Sequence, residues 1–228
     1  MPGVLVSATD TGVGKTVLSA ALVAAMRAAG VRALPHKPVL TGLEEPVAGD
    51  HDVLGAVADM HPQEVAPLRY GPPVSPHLAT ALCGADPIDP AALRARAQAA
   101  GRGGVAVVEG VGGLMTPLTD SYTLCDLAAE LGLPLLIAAR PGLGTINHCL
   151  LTLAAARAAG LEVRAVVLTP WPERPGALER SNRQTIARMG RVEVAALGRA
   201  KDSSRAELAR IGSKLPWREW LAMSAPAG

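Results

Sequence analysis

The run Ala8-Thr9-Asp10-Thr11-Gly12-Val13-Gly14-Lys15-Thr16 sets two glycines, a lysine and hydroxyls between a short apolar run, Val4 to Val6, and an Ala- and Leu-rich segment with helical spacing. Strand, glycine-containing loop and helix, in that order, build a phosphate cradle. Backbone N–H groups of the loop and of the helix N-terminus converge on one spot, where the helix dipole favours an anion. Gly12 and Gly14 admit the close approach and unusual dihedrals that a side chain would forbid. Lys15 reaches the β- and γ-phosphates, and the Thr16 hydroxyl is placed to ligate Mg²⁺. With Val13 and Val17 completing the loop and first helical turn, the motif predicts a bound nucleoside triphosphate. One position departs from the usual pattern, whose first glycine is replaced here by Thr9.

Other strand ends carry chemistry too. His36-Lys37-Pro38-Val39-Leu40-Thr41-Gly42 would set Lys37 beside the phosphate loop, where an ammonium stabilises charge on a transferring phosphoryl group. Taken alone, Lys37 reads more simply as a solvated lysine after a strand. A second end reads Glu109-Gly110-Val111-Gly112-Gly113-Leu114. A carboxylate closing an apolar strand next to a phosphate loop suits Mg²⁺, directly or through water. Burial of Glu109 without a cation or partner would be costly, and the glycines after it let backbone amides approach a ligand. In Gly49-Asp50-His51-Asp52, Asp52 offers the metal a second carboxylate; alternatively, Asp50 or Asp52 caps the following helix. Gly142-Leu143-Gly144-Thr145-Ile146-Asn147-His148 precedes a helix, with Thr145 as a candidate cap and free amides suited to a carboxylate, or to no ligand at all. The histidines at 36, 51, 61, 77 and 148 are too scattered for a metal cluster.

The elements that must position these residues are legible as apolar runs separated by helical spacing. The runs predict strands at Val4–Ala8, Arg32–Lys37, Gly104–Glu109, Leu135–Ala139 and Glu162–Thr169, with a weaker one at Val192–Leu197. None alternates apolar with polar, the mark of parallel strands buried on both faces. Helices are predicted at Lys15–Ala29, Pro90–Ala100, Thr123–Leu131, Thr145–Ala159 and Ala177–Met189. Gly30, Gly101, Gly132 and Gly160 follow four of them, where a left-handed cap is wanted. The stretch from Glu45 to Pro90 is irregular apart from a helical segment at Asp52–Met60, and the tail after Arg199 reads as a helix with an end anchored by Trp217 and Trp220. The alternation predicts one α/β domain over residues 1–228, a single doubly wound, mostly parallel sheet with helices on both faces, of the P-loop NTPase kind. Its ligands belong at the carboxyl ends of the strands.

Composition narrows the function classes. The net charge of +2 is spread along 228 residues, with no basic block or aromatic interleaving suited to nucleic acid. Cys83, Cys125 and Cys149 lack metal-ligand spacing and read as thiols of a reducing compartment. The first apolar run is too short for a signal peptide, and none approaches the roughly 20 residues of a membrane span. A cytoplasmic protein without membrane partners is expected.

Taken together, four segments resemble the dethiobiotin synthetases, the ATP-dependent ring-closing ligases of biotin synthesis: TDTGVGKT at 9–16, KPVLTG at 37–42, EGVGGLMTPL at 109–118 and GLGTINHCLLTL at 142–153. KPVLTG with EGVGGL is far more specific than the phosphate loop, and it moves Lys37 from solvated surface to active site. The resemblance implies carboxylation and cyclisation of 7,8-diaminopelargonic acid with CO₂ or bicarbonate and a nucleoside triphosphate. It implies that Lys15 and Lys37 neutralise γ-phosphate and carbamate charge, that Thr11 contacts phosphate or carbamate, and that Thr41 orients the diamine. Thr16, Asp52 and Glu109 would hold Mg²⁺. Gly144, Thr145, Ile146 and Asn147 would receive the substrate's carboxylate tail from the neighbouring subunit's site, which implies a homodimer with shared active sites. Gly110, Val111 and Gly112 would border the nucleotide, and Thr169, Pro170, Leu197, Gly198 and Arg199 would wall its base.

The chain departs from the family pattern at Ala8, where glycine is usual, at Gly198, near an expected proline, and at Thr169. The family commonly carries an Asn at this last place, whose amide reads adenine, and one hydroxyl cannot present that paired donor and acceptor. Relaxed base choice follows as an expectation, with CTP or another triphosphate able to replace ATP. A switch ATPase of the ParA/MinD kind would carry a lysine early in the loop, at the place of Asp10. An amidoligase of the cobyrinic acid synthetase type would add a glutaminase domain, for which the chain has no room.

Overall fold

The computed structural model describes residues 1–44 and 49–222. The first half of the chain runs β1 (Gly3–Ala8), α1 (Lys15–Ala28), β2 (Ala33–His36), β3 (Leu40–Thr41), α2 (Asp50–Ala58), α3 (Pro62–Val65), β4 (Arg69–Tyr70), α4 (Pro76–Leu82) and α5 (Pro90–Ala100). Then come β5 (Val105–Glu109), α6 (Leu124–Leu131), β6 (Leu135–Ala139), α7 (Thr145–Ala158), β7 (Val163–Trp171), α8 (Ala177–Gly190), β8 (Glu193–Gly198), α9 (Arg205–Gly212) and α10 (Trp217–Trp220). The six expected strands pair in the order β2-β5-β1-β6-β7-β8, every pair parallel.

This order places β1 centrally, between β5 and β6. The chain lays β2 and β5 to one side of β1 and β6, β7 and β8 to the other, so the strand order reverses beside β1. A crevice opens at such a switch point, outside the carboxyl ends of the strands. The phosphate loop leaves β1 at that point.

Successive side chains of each inner strand face opposite layers, as a period of two requires. Val4 and Val6 of β1, Val107 of β5, Leu136 of β6 and Val167 of β7 enter one core cluster with Leu18, Leu22 and Met26 of α1. Leu5, Val108, Ile137 and Leu168 enter the other, with Leu153 of α7 and Ile186 of α8. Both faces are apolar because both are covered, which is why no strand alternates in the sequence.

The irregular stretch contains more order than its sequence suggests. Its helix begins at Asp50, two residues before the expected start, and is followed by α3, α4 and a two-stranded sheet pairing β3 with β4. Residues 45–48 of this stretch and 223–228 of the tail lie outside the described residues. Gly30, Gly132 and Gly160 do take left-handed φ values of 78°, 61° and 72°. Gly101 does not: its φ is −84°, and the left-handed turn falls to Gly103 at 79°. The extra Arg102-Gly103-Gly104 residues let the chain turn later.

The tail closes over α1. Gly212 at the end of α9 lies so near that a Cβ there would stand 2.1 Å from the Ala21 carbonyl oxygen. Trp217 and Trp220 are both buried, and the Trp220 indole donates to Glu193 Oε2 at 2.9 Å. No helix among the described residues is long and apolar enough to cross a membrane.

Candidate active site

The phosphate loop is held at its entry by the Thr9 amide, which donates to the Ala138 carbonyl at 3.0 Å. Gly12 and Gly14 take φ values of 69° and 96°, conformations that only glycine adopts freely. Val13 is buried beneath the loop and Val17 is half-buried behind it. Gly14 also faces Thr169: a Cβ there would lie 3.0 Å from the threonine methyl. The loop is thereby seated against the end of β7.

Four side chains from four places in the sequence meet beside the loop. Thr16 stands in the first turn of α1, Lys37 follows β2, Asp50 opens α2 and Glu109 ends β5. The Thr16 hydroxyl lies 2.6 Å from Asp50 Oδ1 and 3.1 Å from Glu109 Oε1. The Lys37 ammonium donates to Glu109 Oε1 at 2.7 Å and also pairs with Asp50 Oδ2. Lys37 is 2 % exposed and Glu109 is wholly buried, so this pair is screened little by water. The Lys37 backbone is fixed too, its amide donating to the Val65 carbonyl at 2.8 Å.

The charges shape one another. Burial opposes the Lys37 ammonium, but the Glu109 and Asp50 carboxylates more than offset it and raise its pKa. Burial would likewise raise the Asp50 carboxyl, and Lys37 brings it below the ordinary value instead. Lys15, buried in the loop, goes the other way: burial and then the Lys37 charge lower its pKa. Its ammonium lies 3.4 Å from the Asp10 carbonyl.

Asp52 does not join this group. Its carboxylate accepts the Gly49 amide at 2.9 Å at the start of α2, where the N-cap is a glycine with no side chain of its own. Because the helix begins at Asp50, Asp52 is its third residue, and from there a carboxylate folds back on the N-cap amide. The expectation that Asp52 stands with Thr16 and Glu109 is therefore corrected: the carboxylate that reaches this cluster is Asp50. A second correction concerns α7. Its N-cap is Gly144, at φ 88°, and no side chain caps it. Thr145 is buried, its hydroxyl 3.6 Å from Cys149 Sγ. Its amide donates to the Gly142 carbonyl at 3.3 Å, so only the amides of Ile146 and Asn147 are left without a backbone acceptor in the first turn among the described residues.

Thr11 borders a cavity of about 460 Å³ between the phosphate loop, the turn at Gly113–Pro117 and α7 residues Leu151, Thr152 and Ala155. Gly110 is fixed by its amide, which donates to the Val6 carbonyl at 2.9 Å, and Val111 and Gly112 continue that turn. Thr41 ends β3, paired with Tyr70 and half-buried. Gly144 and Asn147 are exposed and Ile146 half-buried at the start of α7, where Thr145 and His148 line a small pocket with Thr9, Asp10 and Val13 of the phosphate loop. On the far side of the loop, Thr169 is buried, and Trp171 pairs with Gly198 across β7 and β8, bringing Pro170, Leu197 and Arg199 to one strand end.

One contact was not anticipated from the sequence. Arg140, just past β6, donates to Asp10 Oδ2 at 3.2 Å and to the Thr11 carbonyl at 3.4 Å. The Asp10 Oδ1 meanwhile accepts the Thr11 amide at 2.7 Å. Only the position of Arg140 at a strand end could have signalled it.

Comparison with known proteins agrees with this geometry. A family model described as an AAA domain matches residues 2–200. The chain is 42 % identical over 205 residues to an ATP-dependent dethiobiotin synthetase BioD of Anaeromyxobacter sp. (strain Fw109-5), covering 89 % of this chain and 92 % of that protein. It is 37 % identical over 228 residues to one of Mycobacterium avium, covering 99 % and 100 % of the two. Among solved structures, the MinC:MinD cell division complex of Aquifex aeolicus matches with a TM-score of 0.61 at 12 % identity, covering 100 % of this chain and 98 % of that one. An ATP complex of Cyanothece McdA matches at 0.58 and 12 % identity, covering 100 % and 99 %. At such identity these two speak for the P-loop fold alone. With the loop, the Lys37–Glu109 pair and relatives alike over nearly their whole length, the chain belongs to the dethiobiotin synthetase family.

Proposed function

We propose that the chain closes the ureido ring of dethiobiotin from 7,8-diaminopelargonic acid, CO₂ and a nucleoside triphosphate. The observation that carries this reading is the buried Lys37 ammonium, held between Asp50 and Glu109 beside the phosphate loop. One amine adds to CO₂ and, on losing a proton, becomes a carbamate. A carbamate oxygen takes the γ-phosphoryl group, releasing the nucleoside diphosphate and leaving a carbamic–phosphoric anhydride. The second amine attacks the carbonyl carbon, phosphate departs, and the ring closes with loss of a proton.

Such phosphoryl transfer needs positioning and charge neutralisation more than covalent help. Gly12, Gly14 and the first turn of α1 cradle the phosphates, Lys15 neutralises the γ-phosphate, and Lys37 neutralises the carbamate and its transition state. Thr11 contacts the carbamate or phosphate, and Thr41 orients the diamine. Thr16, Asp50 and Glu109 suit Mg²⁺, because three hard oxygen donors converge and Glu109 Oε2 is buried with no partner of its own. When bound there, Mg²⁺ supplies charge neutralisation at the β- and γ-phosphates.

The carboxylate tail of the substrate falls to Gly144–Asn147 of a second copy, which makes the working unit a homodimer. The α7 surface supports this: Leu143 is 92 % exposed, Leu151 62 % and Met115, across the cavity, 58 %, an apolar grouping that a partner would cover. Thr169 supports relaxed base choice. It is buried against Gly14 and offers one hydroxyl where the family's Asn offers an amide. The test is phosphate release from ATP and CTP, with and without the diamine and bicarbonate. Release that requires the diamine, at kcat/KM values within about tenfold for the two nucleotides, fits both readings. Diamine-independent release sinks the ligase, and strong ATP preference sinks the relaxed base choice.

A further inference from the structure

Asn182 of α8 is a buried amide that the proposed chemistry does not use. It is 4 % exposed, and its Nδ2 donates to the carbonyls of Pro141 and Gly142 at 2.9 and 3.0 Å. One side chain thus holds two consecutive carbonyls of the loop Arg140–Gly144, which joins β6 to α7. Little else restrains that loop. Leu143 is almost fully exposed, and a Cβ at Gly142 or Gly144 would meet nothing within 4 Å. The other fastenings are the Thr145 amide, which donates to the Gly142 carbonyl at 3.3 Å, and Arg140, tied to Asp10 and Thr11.

Peptide geometry turns this anchor into a constraint on the opposite side of the chain. In a trans peptide the C=O and the following N–H point in opposite directions. Carbonyls of Pro141 and Gly142 held toward α8 therefore send the amides of Gly142 and Leu143 away from it. Among the described residues, neither amide donates to another backbone group. The uncapped first turn of α7 follows directly, so a short series of donors faces outward.

We propose that Asn182 is a positioning residue for the carboxylate end of the substrate, aiming the amides of Gly142, Leu143 and the α7 N-terminus at that anion. The inference rests on the reading that this loop receives the substrate's tail, and it deepens it. Asn182 touches no substrate and acts through the loop. Its removal should loosen recognition of the carboxylate while sparing the diamine, the nucleotide and the chemical step.

The test compares 7,8-diaminopelargonic acid with 7,8-diaminononane, the same vicinal diamine without a carboxylate, in the wild-type protein, Asn182→Ala and the milder Asn182→Ser. The wild type should prefer the acid in kcat/KM. In Asn182→Ala that preference should fall about tenfold, through KM for the acid, with kcat, nucleotide KM and kcat/KM for the diaminononane within about twofold. Asn182→Ser, which keeps one donor, should fall between, and it carries the test should the alanine variant not fold. Unchanged preference in the folded variants overturns the role of Asn182. Equal losses on both diamines do the same, because they mark a general structural role. A wild type without preference for the acid overturns the carboxylate reading itself, and this inference with it.

Discussion

Asp50 and Asp52 stand two residues apart on one helix turn, and only Asp50 reaches Thr16 and Lys37. Asp50→Asn should lower turnover at least about 100-fold while Asp52→Ala leaves turnover near wild type and costs about 1 kcal/mol of stability as a lost cap. Steady-state kinetics and urea unfolding of the two variants check this. Sequence spacing could not separate the two because the answer depends on where α2 begins, and caps are read to within only a residue or two. Lys37, by contrast, was legible through KPVLTG, although its burial was not. Lys37→Ala should cut kcat far more than it weakens nucleotide binding, because its charge counts most in the transition state; kinetics against nucleotide titration give the ratio. Beside it, His36 ends β2 at 2 % exposure, and burial, then repulsion from Arg96, press its pKa down to about 4. Between pH 6.5 and 4 the unfolded chain therefore binds the proton more readily than the folded one. Stability should fall with pH across that window, by about 3 kcal/mol in total, and His36→Leu should flatten that part of the profile.

At the scale of elements, the strands were legible because a parallel sheet covered on both faces demands unbroken apolar runs, as in Leu135–Ala139. The small sheet of β3 and β4 and the helices α3 and α4 were not. They are two to seven residues long and set among Pro38, Pro62, Pro72 and Pro76, so no periodicity has room to develop. Yet this segment carries Thr41 and delivers the Val65 carbonyl to the Lys37 amide. Close approach of backbones is equally invisible in sequence. Gly212 lets α9 lie against α1, and any Cβ there would collide with the Ala21 carbonyl. Gly212→Ala should cost about 1–3 kcal/mol by forcing the helices apart, read as a lower urea midpoint, with kcat unchanged in the folded protein.

For the molecule as a whole, the proposed homodimer divides the site between what one chain assembles and what a second would bring. One chain gathers Thr16, Lys37, Asp50 and Glu109 around the phosphate loop. The start of α7 borders the phosphate loop, Thr145 and His148 lining one small pocket with Thr9, Asp10 and Val13, while Leu143 and Leu151 are exposed. Leu151→Glu should shift the protein from dimer to monomer in sedimentation and raise KM for the diamine about tenfold or more, because the carboxylate end loses its donors. The phosphate loop declared nucleotide binding unaided, since strand, loop and helix are contiguous. The reaction became legible only through the family motifs, because distant segments such as 37–42 and 109–118 meet only in the fold. Incubation with ¹³C-bicarbonate, the diamine and ATP, with the product read by mass spectrometry and phosphate counted alongside, tests the ligase most directly. The account predicts dethiobiotin labelled at the ring carbonyl, in amounts equal to the phosphate released. Phosphate released without labelled dethiobiotin would contradict it.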